Sequence, residues 1–144
     1  MPYRFIEGLT VADVAFEGRG KTLEELFSSA GQAVTAAQLA DLRTIRKKES
    51  RSFDLTSKAI DRLLFNFLQE LIYWKDVDLI LFKSFDLSIG RKSEGSYYLT
   101  GTGRGEPIDV SRHKLRVDVK AVTMHKFEVT SDANGWRATV VLDI

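Results

Sequence analysis

Cysteine is absent from this chain, and proline and histidine are scarce. Without cysteine there is no disulfide, no thiolate metal site and no cysteine nucleophile. The prolines, Pro2 and Pro107, interrupt no long periodic segment. No apolar leader is visible, and no run approaches the ~18–20 apolar residues of a membrane span. We therefore expect a soluble, cytoplasmic protein with no membrane partner.

An excess of charge of one sign is missing as well. The chain carries 21 Lys and Arg against 20 Asp and Glu, for a net charge of +1. Proteins that grip nucleic acid by its phosphates concentrate Lys and Arg, so tight direct RNA binding is not expected. With 144 residues, of which 44% are hydrophobic, the composition is typical of one packed domain spanning residues 1–144.

Familiar catalytic motifs are also missing. The glycine-rich stretch "GTGRGEP" is followed by neither a Lys-Ser/Thr pair nor a helix, so we expect a mobile turn or a bulge instead of a phosphate loop. His113 and His125 lack HExxH spacing, and there is no G-x-S-x-G elbow. His125 shares the strand parity of Phe127 and Val129, where a packed histidine is commoner than a catalytic one. No autonomous active site is predicted.

The first half of the chain shows strand signals followed by helical ones. "YRFIEG" and "TVADVAFEG" predict two short strands. "TLEELFSSAGQAVTAAQLADL" predicts a helix, in which Thr22 and Glu25 fit a capping box. A short strand at "SFDL" precedes a second predicted helix, "SKAIDRLLFNFLQELIYWKD", whose wide apolar face would cover a sheet.

The second half of the chain is rich in strand signals. "LFKSFDLSIG" and "GSYYLTGTG" flank a charged turn, and "KLRVDVKAV" alternates apolar with polar residues. "HKFEV" and "WRATVVLDI" are joined by "TSDANG", whose Asn134-Gly135 pair indicates a hairpin turn. The whole pattern predicts an α+β fold: a single domain with a largely antiparallel sheet and two main helices packed on it.

Two carboxylates occupy unusual strand positions. Asp13 lies within an otherwise apolar predicted strand, where aspartate is disfavoured. Asp143 ends the last predicted strand and is followed by Ile144. Because carboxylates at strand ends commonly face water, the residues alone leave two interpretations open: solvated surface groups, or part of a site.

The chain resembles a known family over nearly its whole length. The resemblance is carried by "TVADVAFEGRGKTLEELFSSAGQAV", "LLFNFLQELIYWKDVD", "GEPIDVSRHKLRVDVKAVTMHKFEV" and "WRATVVLDI", in which "VADV", "DVKAVTMH" and "LDI" are the most specific pieces. These segments resemble the archeases, protein cofactors of the GTP-dependent RNA ligase that joins tRNA exon halves. Thr10 and Val11 depart from the histidine and threonine that archeases commonly carry, so no histidine there can act as ligand or proton carrier.

The resemblance implies a metal site. Archeases bind a metal ion through a strand aspartate, the penultimate aspartate and the terminal carboxylate, which match Asp13, Asp143 and the carboxylate of Ile144 here. All are hard oxygen donors, so we expect a divalent ion, with Ca²⁺ favoured and Mg²⁺ or Mn²⁺ as alternatives. A tail after Ile144 would remove the terminal carboxylate, which would account for the ending "LDI".

The resemblance also implies residues for partner activation. Lys120 matches the lysine of the family's Lys-Ala-Val-Thr stretch, which is linked to ligase activation, and its predicted strand parity leaves it on the polar side. His125 matches the position after that stretch. Asp41, in "LADL", matches a recurring acid near the end of the first helix, and it is left outside the metal set.

The function implied is that of a non-catalytic activator in tRNA splicing. It would promote guanylylation of the ligase and allow repeated turnover, while meeting RNA only indirectly. Two alternatives stay open: a free-standing metal-dependent hydrolase, in which acidic residues and a cation activate water, and a chaperone or scaffold for nucleic-acid-modifying proteins.

Overall fold

The computed structural model describes residues 2–7 and 13–144. Its elements in chain order are β1 (Tyr3–Ile6), β2 (Val14–Gly20), α1 (Leu23–Gln38), a 3-10 helix (Leu42–Thr44), β3 (Glu49–Ser57), α2 (Ile60–Asp78), β4 (Ile80–Arg91), β5 (Tyr97–Pro107), β6 (Ala121–Asp132) and β7 (Gly135–Asp143). None of the helices within these ranges is long and apolar enough to cross a membrane.

The strands of the described ranges form two antiparallel sheets. One has four strands in the order β1-β2-β7-β6, and the other has three in the order β3-β5-β4. Both helices contact strands of both sheets: α1 packs mainly on β2 and β4, and α2 on β6, β3 and β4. The predicted α+β fold with two helices packed on antiparallel strands is confirmed, and the strands divide between two sheets.

Phenylalanine rings join the helices to the three-stranded sheet. The ring centroids of Phe27 on α1 and Phe67 on α2 lie 5.7 Å apart. Phe53 on β3 lies 5.3 Å from Phe67 and 5.7 Å from Phe82 on β4. All four side chains are buried. Because burying each one contributes about 1.5–3 kcal/mol, this cluster holds both helices against the sheet.

Helix α1 begins where the sequence predicts. The Thr22 hydroxyl accepts a hydrogen bond from the Glu25 N–H at 3.1 Å. The Glu25 carboxylate accepts from the N–H of Lys21, at 2.7 Å, instead of that of Thr22. The helix ends at Gln38, earlier than predicted, because Leu39 takes an extended conformation and bridges to Leu115.

Of the two expectations for the glycine-rich residues 101–107, a mobile turn or a bulge, the mobile turn is wrong, because these residues form the end of strand β5. A Cβ at Gly105 would lie 1.9 Å from the Leu81 carbonyl oxygen, and one at Gly103 would lie 2.8 Å from the Phe82 ring. Glycine therefore lets β4 approach β5 closely. The irregularity in this pair falls on β4, between Phe82 and Ser84.

Residues 114–120 are not the predicted strand. Only one isolated bridge, between Leu39 and Leu115, is formed there, and β6 begins at Ala121. Val119 is fully buried, whereas Leu115 is 44% exposed and Val117 is 38% exposed. The apolar residues do alternate along the segment, but no strand pairs with it along its length. It runs instead past the ends of the two helices.

The β6–β7 hairpin confirms the predicted turn. Asp132 pairs with Gly135, so the two-residue loop is Ala133–Asn134 and Gly135 is the first residue of β7. The Asn134 N–H donates to the Asp132 carboxylate at 2.7 Å. Gly135 has a φ of 121°, and a Cβ there would lie 2.6 Å from the Gly20 carbonyl oxygen.

Gly135→Ala should therefore destabilise the protein more than an alanine substitution at a glycine where the added Cβ causes backbone strain but no steric clash. We expect a loss of about 3 kcal/mol in the free energy of unfolding, measured by chemical denaturation. The control is Gly95→Ala, where φ is 100° but nothing lies within 4 Å of an added Cβ. Its loss should be about 1 kcal/mol. Equal losses would show that the contact with Gly20 does not matter.

Candidate functional site

Strands β2 and β7 place the two predicted aspartates at one end of the four-stranded sheet. Val14, the first residue of β2, pairs with Leu142 in an antiparallel register; Asp13 immediately precedes β2, and Asp143 is the last residue of β7. Asp13 is half-buried, and Asp143 is exposed. The structure therefore brings these two residues to the same strand ends. That they bind a metal ion stays a prediction.

The main chain on both sides of the Asp143 side chain is held in place. The main-chain carbonyl oxygen of Asp143 accepts a hydrogen bond from the Lys120 N–H at 2.8 Å, and Asp143 pairs with Ala121 on β6. The next residue, Ile144, is half-buried and packs against the main hydrophobic core. The predicted ligands Asp143 and Ile144 thus have a fixed main-chain position beside β2 and β6.

A cavity of about 460 Å³ opens beside Asp13. Its polar lining residues are Glu7, Asp13 and Arg116, and apolar residues of β1, β2 and α1 complete it together with Val117. Glu7 follows β1, directly after Ile6, which pairs with Ala15. Sequence reasoning did not single out Glu7 or Arg116, since only the pairing of β1 with β2 and the path of residues 114–120 bring them to Asp13.

The donors available at this end of the sheet decide which ion could be held there. Among residues 2–7 and 13–144, no three His, Cys, Asp or Glu side chains are grouped so that they could hold a metal ion. An ion at Asp13 and Asp143 would therefore need other oxygen donors, such as a terminal carboxylate, main-chain carbonyls or water. All of these are hard donors that suit Ca²⁺, Mg²⁺ or Mn²⁺ better than zinc or copper.

The two residues predicted for partner activation are both exposed. Lys120 lies one residue before β6, beside Asp143. His125 lies in an irregular part of β6, where the register with β7 shifts between Thr123 and Glu128 and where Lys126 has a φ of 54°. The expectation that His125 packs beside an apolar face is therefore wrong, because the bulge breaks the strand parity on which it was based.

Asp41 does not join the two aspartates. It caps the 3-10 helix, accepting hydrogen bonds from the side chain of Arg43 at 3.1 and 3.0 Å and from its N–H at 2.9 Å. These side-chain and backbone hydrogen bonds hold the pKa of Asp41 below its usual value. Leaving Asp41 outside the metal set is consistent with this local role. The family departure at Thr10 and Val11 falls outside the described residues.

A buried polar network that sequence reasoning missed centres on Glu106, which is 2% exposed. Its carboxylate accepts hydrogen bonds from the Arg112 guanidinium and from the Arg46 N–H, the latter at 2.5 Å. The His113 ring lies 3.3 Å away through Nε2, while its Nδ1 accepts from the Asp109 N–H at 3.0 Å. This leaves the histidine proton on Nε2, directed at Glu106.

This network fixes the turn from which residues 114–120 lead to Lys120. Arg112 also donates to the Thr44 carbonyl oxygen at 2.6 Å, which ties the turn to the 3-10 helix. Burial alone would raise the pKa of Glu106, but the hydrogen bonds from Arg112, the Arg46 backbone and His113 outweigh it and lower the pKa to about 2. His113, which no motif explained, is thus part of a structural cluster.

Comparison with known proteins identifies the family. The model of the Archease protein family matches residues 3–144. The chain belongs to the archease family. The protein archease of Methanosarcina barkeri is 36% identical to it over 133 residues, which cover 92% of this chain and 90% of the relative. The predicted resemblance is therefore confirmed, and the name of the relative states no reaction.

Solved structures share the archease fold. A solution structure of a Methanobacterium thermoautotrophicum protein has a TM-score of 0.86 and 34% identity, and the match covers 99% of each chain. A crystal structure of a Thermotoga maritima archease, titled a possible chaperone, has a TM-score of 0.59 and 18% identity, covering 94% of this chain and 93% of that one. At that identity, the second likeness concerns the fold alone.

The Glu106 cluster generates a prediction about acid stability. Because its folded pKa of about 2 lies below the ordinary value of 4.5, Glu106 stabilises the fold above pH 4.5, and this contribution is lost as the pH falls towards 2. Glu106→Gln should therefore lower the melting temperature at pH 7 and flatten its fall across this range. The exposed Glu128→Gln is the control and should behave as the parent protein. An unchanged acid profile in Glu106→Gln would contradict the assignment.

Proposed function

We propose that this protein activates a GTP-dependent RNA ligase in tRNA splicing, promoting its guanylylation and repeated turnover in the cytoplasm. Membership of the archease family supports this proposal. The observation that carries it is the arrangement where β2 begins and β7 ends: Asp13 precedes Val14, which pairs with Leu142, and Asp143 follows Leu142 and bonds to the backbone of the exposed Lys120. GTP and RNA would be bound by the ligase, so this protein would meet RNA only indirectly.

In this proposal, Asp13 and Asp143 hold a divalent cation together with the carboxylate of Ile144. Ca²⁺ is favoured, and Mg²⁺ or Mn²⁺ are alternatives. The bound ion would supply positive charge at the surface that meets the ligase. The residues of the chain do the positioning: pairing of Val14 with Leu142 aligns the two strand ends, and packing of Ile144 against the core fixes the main chain after Asp143.

Lys120 is proposed to contact the ligase directly. Its side chain is exposed, while its N–H is fixed by the hydrogen bond to the Asp143 carbonyl oxygen. A mobile ammonium on a fixed main chain suits an acidic or phosphate group of the partner. His125 lies on β6, the edge strand that Lys120 immediately precedes, and would extend this contact surface.

A chaperone for the ligase is the second candidate. The Thermotoga maritima protein is titled a possible chaperone, and Phe5, Leu115 and Val117 expose apolar surface in this chain. A chaperone would keep more ligase soluble without changing the rate of guanylylation per active ligase molecule. An activator would raise that rate, and a hydrolase would act without any ligase. A guanylylation assay with titrated active ligase separates the three.

Asp143→Asn should weaken metal binding by removing one negative charge while nearly preserving shape. We expect the affinity for Ca²⁺ and Mn²⁺ to fall roughly tenfold or more in calorimetric titrations. The variant should stay folded, since repulsion among clustered carboxylates is relieved. The matched control is Asp54→Asn, an exposed aspartate on β3. Equal affinities in both variants would refute the site.

A second variant tests the carboxylate of Ile144. Adding a few residues after Ile144 replaces that carboxylate with a neutral peptide carbonyl and leaves every side chain in place. Metal affinity should fall as it does in Asp143→Asn. Undiminished binding would leave Asp13 and Asp143 as candidate ligands but would remove Ile144 from the set.

Lys120→Ala should reduce stimulation of ligase guanylylation by roughly tenfold while changing the melting temperature little, as expected for an exposed side chain. The control is Lys92→Ala, an exposed lysine in the β4–β5 turn. It should stimulate the ligase as well as the parent protein does. A large loss of stability with normal stimulation would show that Lys120 is structural.

A further inference from the structure

Two buried polar side chains, one from each helix, converge on the backbone of Val119. Gln38, in the last turn of α1, is 5% exposed, and Lys75, near the end of α2, is 4% exposed. Gln38 Oε1 accepts from the Val119 N–H at 3.3 Å. Lys75 Nζ donates to the Val119 carbonyl oxygen at 2.5 Å. We call these two side chains the Val119 bracket.

The Val119 bracket holds a segment whose backbone is not fixed by strand pairing. Residues 114–120 form only the single bridge at Leu115, so individual hydrogen bonds fix their path. The Arg116 N–H donates to the Gln38 carbonyl oxygen at 2.9 Å, and the Lys120 N–H donates to the Asp143 carbonyl oxygen at 2.8 Å. Val119 immediately precedes Lys120, so the bracket holds the peptide group that leads into the proposed contact residue.

Burying the Lys75 ammonium costs free energy, which indicates that this lysine has a role beyond packing. Its ammonium is shared between the Val119 carbonyl oxygen, an Asp118 carboxylate oxygen at 2.5 Å and an Asp76 carboxylate oxygen at 3.3 Å. A buried charge needs such partners, and an apolar side chain of similar volume is often as stable or more stable. Packing alone therefore does not account for a lysine here, whereas fixing the Val119 backbone does.

We propose that Gln38 and Lys75 are positioning residues that act through Lys120. They hold the main chain at residues 118–120 so that the Lys120 side chain starts from a fixed point beside Asp143. The effect on ligase stimulation rests on the function proposed above. The effect on the backbone does not, so it is measured separately.

The first measurement is amide hydrogen exchange of the isolated protein, followed by NMR. Lys75→Met keeps the side-chain volume and removes the donor to Val119, so the Lys120 N–H should exchange about tenfold faster or more. The amide of Leu68, inside α2, should change by no more than about twofold. Lys58→Met, at an exposed lysine before α2, is the control and should leave both rates unchanged. Unchanged exchange at Lys120 in a folded Lys75→Met protein would overturn the inference.

Gln38→Met is the second variant and carries the test if Lys75→Met does not fold. It removes the acceptor for the Val119 N–H from the other helix, and the same acceleration at Lys120 is expected. Its control is Gln32→Met, a half-buried glutamine on α1. No acceleration in Gln38→Met would also count against the bracket.

The second measurement is a double-mutant cycle on ligase stimulation. If Lys75 acts through Lys120, Lys75→Met should reduce ligase stimulation severalfold in the parent protein. In the Lys120→Ala background, it should cause no further reduction. Independent, multiplying losses would contradict positioning. If the parent protein does not stimulate the ligase at all, the proposed function fails, and hydrogen exchange at Lys120 still decides the role of the bracket.

Discussion

The register of strand β7 is the constraint on which the candidate site depends. β7 lies between β2 and β6, and Ala138, Val140 and Leu142 point into the core, each no more than 1% exposed. A slip of one residue would turn these side chains away from the core and bring Thr139, Val141 and Asp143, two of them polar, towards it. Core burial therefore fixes the pairing of Val14 with Leu142, and this pairing places the two aspartates at one end of the sheet.

The other side of the site depends on the helices. Lys120 reaches Asp143 through a segment without a partner strand, which is held by the ends of α1 and α2 and, before that, by the buried Glu106 cluster. These contacts are polar and few. Each one therefore matters more to the position of the segment than a single ladder hydrogen bond matters to the position of a strand. The sheet thus supplies the acidic residues, and the helices supply the position of the lysine.

The sequence predicts features that depend on local interactions better than features that depend on contacts between distant segments. The Thr22 cap and the β6–β7 hairpin depend on neighbours along the chain, and both were predicted. The alternation of Leu115, Val117 and Val119 resembles a strand because its partners are helix ends that no local pattern reveals. The glycines of β5 indicate a turn or a bulge when read locally, since only the close approach of β4 explains them. His113 joins Glu106 through contacts between distant segments. The strand positions of Asp13 and Asp143 single them out, but their predicted role, and the choice of Ile144, Lys120 and His125, rest on the family resemblance.

Paramagnetic NMR with Mn²⁺ can locate the bound ion without assuming its ligands. Mn²⁺ broadens amide signals within a limited radius of where it binds. At substoichiometric Mn²⁺, we expect broadening around Asp13, Asp143 and Lys120, reversed by excess Ca²⁺, with sharp signals at Asn134 in the hairpin at the far end of β7. Broadening centred elsewhere, for example on Asp76 and Asp118 around Lys75, or no broadening at all, would contradict the proposal that the end of β2 and β7 is a metal site.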